Sequence, residues 1–203
     1  MNTAEQMHDN VTLIKEASHA RKLRRIEAAV GEIMSALGLD TTNDSLKDTP
    51  KRVAKMYVNE IFSGLHENIS DKLKSFDNTY GYKGMVLVRD IPFHSMCEHH
   101  MLPIIGKAHV AYLPTEKVLG LSKFNRIVHH CSSRPQVQER LTVQVADLLS
   151  ETLGTKNVAV VLDARHLCVE MRGVRDSDAV TTTMELRGSF ADEHRQELLQ
   201  QLR

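Results

Sequence analysis

The chain has 203 residues, 41% hydrophobic and 26% charged, enough for one sizeable core with a small helical annex. Its 26 Lys and Arg balance 26 Asp and Glu, so no global field draws it to nucleic acid or to an acidic membrane, and an anion site has to be built locally. Aromatic residues are 4% with no Trp, a poor platform for stacking single-stranded bases; no apolar run reads as a signal peptide or a membrane span, and the expected location is cytoplasmic.

After the polar segment Met1–Glu16, Ile26, Ala28, Val30, Ile33, Met34 and Leu37 fall at helical spacing, with Gly38 as the stop. Thr49 and Pro50 open a second helix as N-cap and first-turn proline. Val53, Met56, Tyr57, Glu60 and Ile61 share its face, and Gly64 ends it. The organisation read from this pattern is an N-terminal helical region over 1–64, a polar linker over 65–83 and a catalytic domain over 84–203. In that domain Met85–Ile91 and the alternating Lys107–Leu113 read as strands. Ser122–Ser132 is a short helix with Ser122 near its N-cap. Pro135 breaks the chain, and Val137, Leu141, Val145, Leu148 and Leu149 mark an amphipathic helix closed by Gly154. Val158–Ala164, Leu167–Arg172 and Val180–Leu186 are strand candidates, and Asp192 begins a terminal helix. The order is helices, then ββααββ, then a helix, which predicts an α+β domain with an antiparallel sheet and two helices on one face.

Three cysteines, Cys97, Cys131 and Cys168, are too few and odd in number for a disulfide framework, which leaves metal binding or thiol chemistry. Cys97 and His100 have C-x-x-H spacing, close enough to reach one ion from a single turn. Cys168 is the natural third ligand. His166, two residues before it in an expected strand, would share its face. Three protein ligands leave zinc an open position, whereas a fourth, from His99 or His166, would make a closed structural site. Taken singly these signals are weak: a C-x-x-H pair rarely specifies a site, and a lone cysteine is more often a packed thiol. Packing is the reading for Cys131, and His94 and His109 are left as structural or exposed.

The run Phe93-His94-Ser95-Met96-Cys97-Glu98-His99-His100 resembles the zinc motif of the GTP cyclohydrolase I family. Four further stretches resemble that family in the same order. They are Asp48–Tyr57, Gly120–Val128, Arg134–Thr142, and His166–Cys168 with Met171–Val174. The resemblance covers roughly residues 25 to 203.

It implies the tunnelling fold, a ββααββ unit preceded here by N-terminal helices. It also implies conversion of GTP and water to formate and 7,8-dihydroneopterin triphosphate, in a homo-oligomer assembled as a decamer of two pentamers with active sites at subunit interfaces. Cys97, His100 and Cys168 would hold Zn2+, with His99 and His166 as acid/base residues and His166 serving the purine nitrogen. Glu139 would accept the guanine N–H groups, with Gln138 and the backbone at Leu121 beside the base. Ser122, Lys123, Arg126, Arg172 and Arg52 would hold the triphosphate. No Gly-rich G-x-x-x-x-G-K-[ST] loop is present, so phosphate binding falls to side chains.

Overall fold

The computed structural model describes residues 3–203, with side chains from residue 17 onward. The side chains of the polar segment Met1–Glu16 lie outside the described residues. The chain forms two compact units, Met1–Ser63 and Gly64–Arg203.

In the first unit, helix α1 (Thr3–Ala36) packs on α2 (Thr49–Met56), which continues as one π-helical turn over Tyr57–Ile61. Met34, Ala54, Val58 and Phe62 are its buried apolar side chains. Gly38 leaves α1 at φ 74, a left-handed geometry that costs glycine nothing. The cap of α2 differs from expectation. Asp48 is the N-cap, without a side-chain capping bond, and Thr49 lies inside the helix, where its Oγ1 accepts from Arg52 Nη2 at 2.8 Å.

The second unit is built on a five-stranded sheet ordered β5-β2-β3-β6-β7. Its strands are β2 (Val86–Cys97), β3 (Pro103–Tyr112), β5 (Pro135–Gln136), β6 (Val158–His166) and β7 (Thr181–Leu186). Neighbours are antiparallel except for the short parallel pair β2–β5. Helices α3 (Leu121–Ser132) and α4 (Gln138–Leu153) fall between β3 and β6 in the chain, which yields the ββααββ order. Their apolar faces, with Phe124, Ile127, Val128, Leu141, Val145 and Leu149, bury against Phe93, Val110, Tyr112, Val160 and Leu162 of the sheet. Alternation along the strands turns Ala111 and Ala159 to the other face, where Phe190 and Leu198 of the C-terminal segment cover them.

Residues 65–83, expected to be a polar linker, contain strand β1 (Ser75–Asp77), which pairs with β4 (Lys117–Leu119). Leu73 from the same stretch packs on the main core. The strands run further than their apolar patterning indicated: β2 reaches Cys97 through an irregularity at Arg89–Asp90, where Asp90 has φ 57. Leu167–Arg172 is not a strand. The chain leaves β6 at His166 and forms a single helical turn, α5 (Leu167–Glu170). The terminal helix α6 begins at Arg195 rather than Asp192. Helix α3 is capped at Gly120, two residues before Ser122, while α4 ends at Gly154 with φ 65, as expected.

Candidate metal centre and substrate site

Pairing across β3 explains how distant residues meet. Met96 at the end of β2 stands opposite Pro103, and the next residue of β3, Ile104, stands opposite His166 of β6. The end of β2 and the turn after β6 are therefore separated by one strand, at the same end of the sheet. A tight turn closes the β2–β3 hairpin: Cys97 N donates to Leu102 O and Met101 N to Cys97 O, both at 2.8 Å, with Met101 at φ 54. The turn brings His100 Nδ1 back to 4.0 Å from Cys97 Sγ.

Cys97, His100 and Cys168 converge, with one ligand atom from each lying within 4.8 Å of the others. Tetrahedral zinc with bonds of about 2.0–2.3 Å separates its ligands by roughly 3.5–3.8 Å, so a small contraction suffices. His99 Nδ1 also lies 3.8 Å from Cys97 Sγ, but neither His99 nor His166 belongs to the converging group. The set is thus three donors, two thiols and an imidazole. Burial, and then the neighbouring Cys97 thiol, hold the Cys168 thiol above its ordinary range. A divalent cation held between the two sulfurs would favour the Cys168 thiolate. Cys131 has no such company: it is buried, and its thiol is pushed up to about 11 by burial.

Beside the converging group a cavity of about 240 Å³ is lined by Gln138, Glu139, His166, Val169, Asp176, Ala179 and Thr181. The short pairing of β5 with β2 aligns Cys97 with Gln136, and α4 starts two residues later, so its first turn borders this cavity. Gln138 is buried, and its amide nitrogen donates to Leu162 O at 3.0 Å, Thr181 O at 2.8 Å and Thr183 Oγ1 at 3.2 Å. Two carbonyl acceptors fix which end of the amide is nitrogen. Gln138 Oε1 then faces His166 Nε2 at 2.7 Å, so Nε2 is the protonated ring nitrogen and Nδ1 is left as the acceptor. Burial lowers the His166 pKa, and the Glu139 carboxylate pulls it partly back. Burial thus disfavours the charged imidazole, and the Gln138 bond fixes a proton on Nε2.

Residues 26–203 match the family described as GTP cyclohydrolase I. The chain belongs to the GTP cyclohydrolase I family. GTP cyclohydrolase 1 of Flavobacterium johnsoniae is 52% identical over 171 residues, 84% of this chain and 77% of that protein. The Edwardsiella ictaluri protein of the same name is 53% identical over 188 residues, 91% of this chain and 86% of that protein. The second unit is accordingly a tunnelling-fold domain, preceded by N-terminal helices.

Not every residue expected at the site lines this cavity. Leu121, Ser122, Lys123 and Arg126 occupy the start of α3 and are not among the lining residues; Arg126 Nη1 donates to Lys72 O at 3.4 Å. Arg172 is exposed, and its charge favours the Cys168 thiolate. Arg52 belongs to the first unit, where Nη2 donates to Ser45 O at 2.9 Å as well as to Thr49. Gln138, expected beside the base, has its amide engaged by protein groups. Val169, Asp176, Ala179 and Thr181 were not foreseen. Asp176 Oδ1 accepts from the N–H groups of Asp178 and Ala179, both at 3.1 Å, a turn that the Asp-Ser-Asp run signals.

Proposed function

We infer that this chain hydrolyses GTP to formate and 7,8-dihydroneopterin triphosphate, the first step of tetrahydrofolate and pterin biosynthesis, and that it does so with zinc held by Cys97, His100 and Cys168. The observation that carries this reading is the convergence of those three donors beside a cavity that also holds His166 and Glu139. Borderline-soft zinc suits a set of two sulfurs and one nitrogen. When bound there it supplies Lewis acidity and draws the pKa of water towards neutrality.

The chain's own residues bind the substrate and move its protons. Glu139 accepts the parallel N1–H and N2–H groups of guanine, which sets the base in the cavity with its imidazole ring towards the metal ligands. His166, its Nε2 hydrogen committed to Gln138, exchanges a proton with the purine nitrogen through Nδ1. His99, exposed beside the ligand turn, exchanges the second proton with solvent as formate departs. The backbone at Leu121 frames the base, and Ser122, Lys123, Arg126, Arg172 and Arg52 receive the triphosphate. Lys123 and Arg126 are three residues apart at the N-terminal end of α3, where the helix dipole adds to their charge.

The assembly that fits this reading is a decamer of two pentamers. Lys123 and Arg126 lie away from the lining of the cavity, which suits a site completed by another copy, and β7 stands at an edge of the sheet where another copy could pair. Among the described residues no helix is long and apolar enough to cross a membrane, and the proposed location is the cytoplasm. The test is to incubate zinc-loaded protein with GTP and to measure formate together with the fluorescent pterin formed on oxidation. Formation of both is expected, and absence of both refutes the activity.

A further inference from the structure

The Cys97–His100 turn contains one residue without a part in the chemistry above, Glu98. Its side chain is gripped from α4. Arg140 Nη2 donates to Glu98 Oε2 at 2.5 Å and to Pro135 O at 3.0 Å, while Arg140 Nε donates to Gln136 Oε1 at 3.0 Å. Gln136 is fully buried and is itself fixed, its amide nitrogen donating to Cys131 O and to Gln144 Oε1, both at 2.8 Å. The backbone repeats the link: Glu98 N donates to Gln136 O at 3.0 Å. One planar guanidinium thus ties the ligand turn, strand β5 and the first turn of α4 together, a fork that a lysine cannot reproduce.

Glu98 is placed between two metal ligands in sequence, and a carboxylate is a competent zinc donor. Yet it stands outside the group whose donor atoms converge. Its Oε2 is held by Arg140, and its Oε1 lies 3.9 Å from His99 Nε2. The first turn of α4 therefore reaches both halves of the site. Gln138 holds His166 on the side of Cys168, and Arg140 holds Glu98 on the side of Cys97.

We propose that Arg140 is a positioning residue for the metal centre: it anchors Glu98 outside the coordination shell and so fixes the turn that presents Cys97 and His100. The proposal rests on the zinc reading above. The ion pair is partly exposed, with side-chain accessibilities of 42% and 34%, so it contributes little to global stability. Its effect belongs in metal affinity, where partners of the ligand residues carry about 10–100-fold.

The experiment is a zinc titration against a chromophoric chelator on the full-length protein, its Arg140→Ala, Arg140→Lys and Glu98→Ala variants and the double Ala variant. It is paired with the visible spectrum of each cobalt-substituted protein. Arg140→Ala is expected to weaken zinc binding by about 10–100-fold and to alter the cobalt bands, which report ligand geometry. Arg140→Lys should fall between Arg140→Ala and the unsubstituted protein. The double variant should bind no more weakly than the weaker single one, because both changes break one link. Unchanged affinity in Arg140→Ala, or effects that multiply in the double variant, would overturn the proposal. Should Arg140→Ala not fold, Glu98→Gln decides: weakened zinc binding is expected, and unaltered affinity overturns it. If the unsubstituted protein takes up no zinc, it is the zinc reading that fails.

Discussion

Replacing Gln138 by Ala separates two roles that the residue could have, touching the substrate or holding His166. The side chain makes four hydrogen bonds, to Leu162 O, Thr181 O, Thr183 Oγ1 and His166 Nε2. At about 0.5–1.5 kcal/mol net for each of the four bonds, the loss is roughly 2–6 kcal/mol. In a protein of this size that lowers the melting temperature by roughly 5–20 °C. Gln138 also selects the tautomer of His166. Loss of an acid–base group costs about 10²–10⁴ in rate, and loosening one while keeping it costs about 10–100-fold. The expectation is therefore a fall in kcat of about 10–100-fold with KM for GTP changed by less than about threefold. Gln138→Ala added to His166→Ala should slow the enzyme no further, since the partner is already gone. Steady-state formate release, measured below the lowered melting temperature, provides the assay. A raised KM with kcat intact would instead place the amide on the substrate and remove its hold on His166.

Three other outcomes follow from the same geometry. Glu139→Gln loses one acceptor for the guanine edge and should lower kcat/KM for GTP by about 10²-fold, while narrowing the preference for GTP over inosine triphosphate; an unchanged preference would remove Glu139 from base recognition. Lys123→Ala should raise KM for GTP more than it affects a guanosine analogue without phosphates, and equal effects on both would take Lys123 off the triphosphate. Cys131, its thiol pushed up to about 11 by burial, stays protonated in the native state and should resist alkylation at pH 8, where mass spectrometry of native and unfolded protein gives the comparison. Because the raised value favours the neutral form in the folded state, the stability from this thiol is complete below the unfolded pKa and is lost as pH rises from about 9 through 11.

Part of the candidate site was legible in short-range pattern, and the rest came from the resemblance of five stretches to one family. The C-x-x-H pair lies on one turn, and the helix carrying Glu139 shows its apolar spacing from Leu141 to Leu149. What joins Cys168 to Cys97 is different in kind: registry across β3, a relation between residues more than sixty apart that no local period encodes. The misread stretch Leu167–Arg172 has the same cause. Its alternating apolar residues imitate a strand, but β6 has run out of partners at His166, and the freed chain closes into one helical turn. Similarly, Ser75–Asp77 is polar at both ends and becomes a strand only because β4 offers it an edge. Gln138 was expected to touch the base, and Arg140 looked like an ordinary polar residue opening a helix. Their functions depend on Thr183 and Glu98, each about forty positions away, and are visible only once those partners are in place.

Stepwise addition of zinc to metal-free protein, with formate release from GTP followed, tests whether Cys97, His100 and Cys168 hold the metal ion on which hydrolysis depends. Activity is expected to rise linearly, to break at one zinc per chain, and never to rise in Cys168→Ala or Cys97→Ala. Formate released by metal-free protein, or full activity in either cysteine variant, would contradict that assignment.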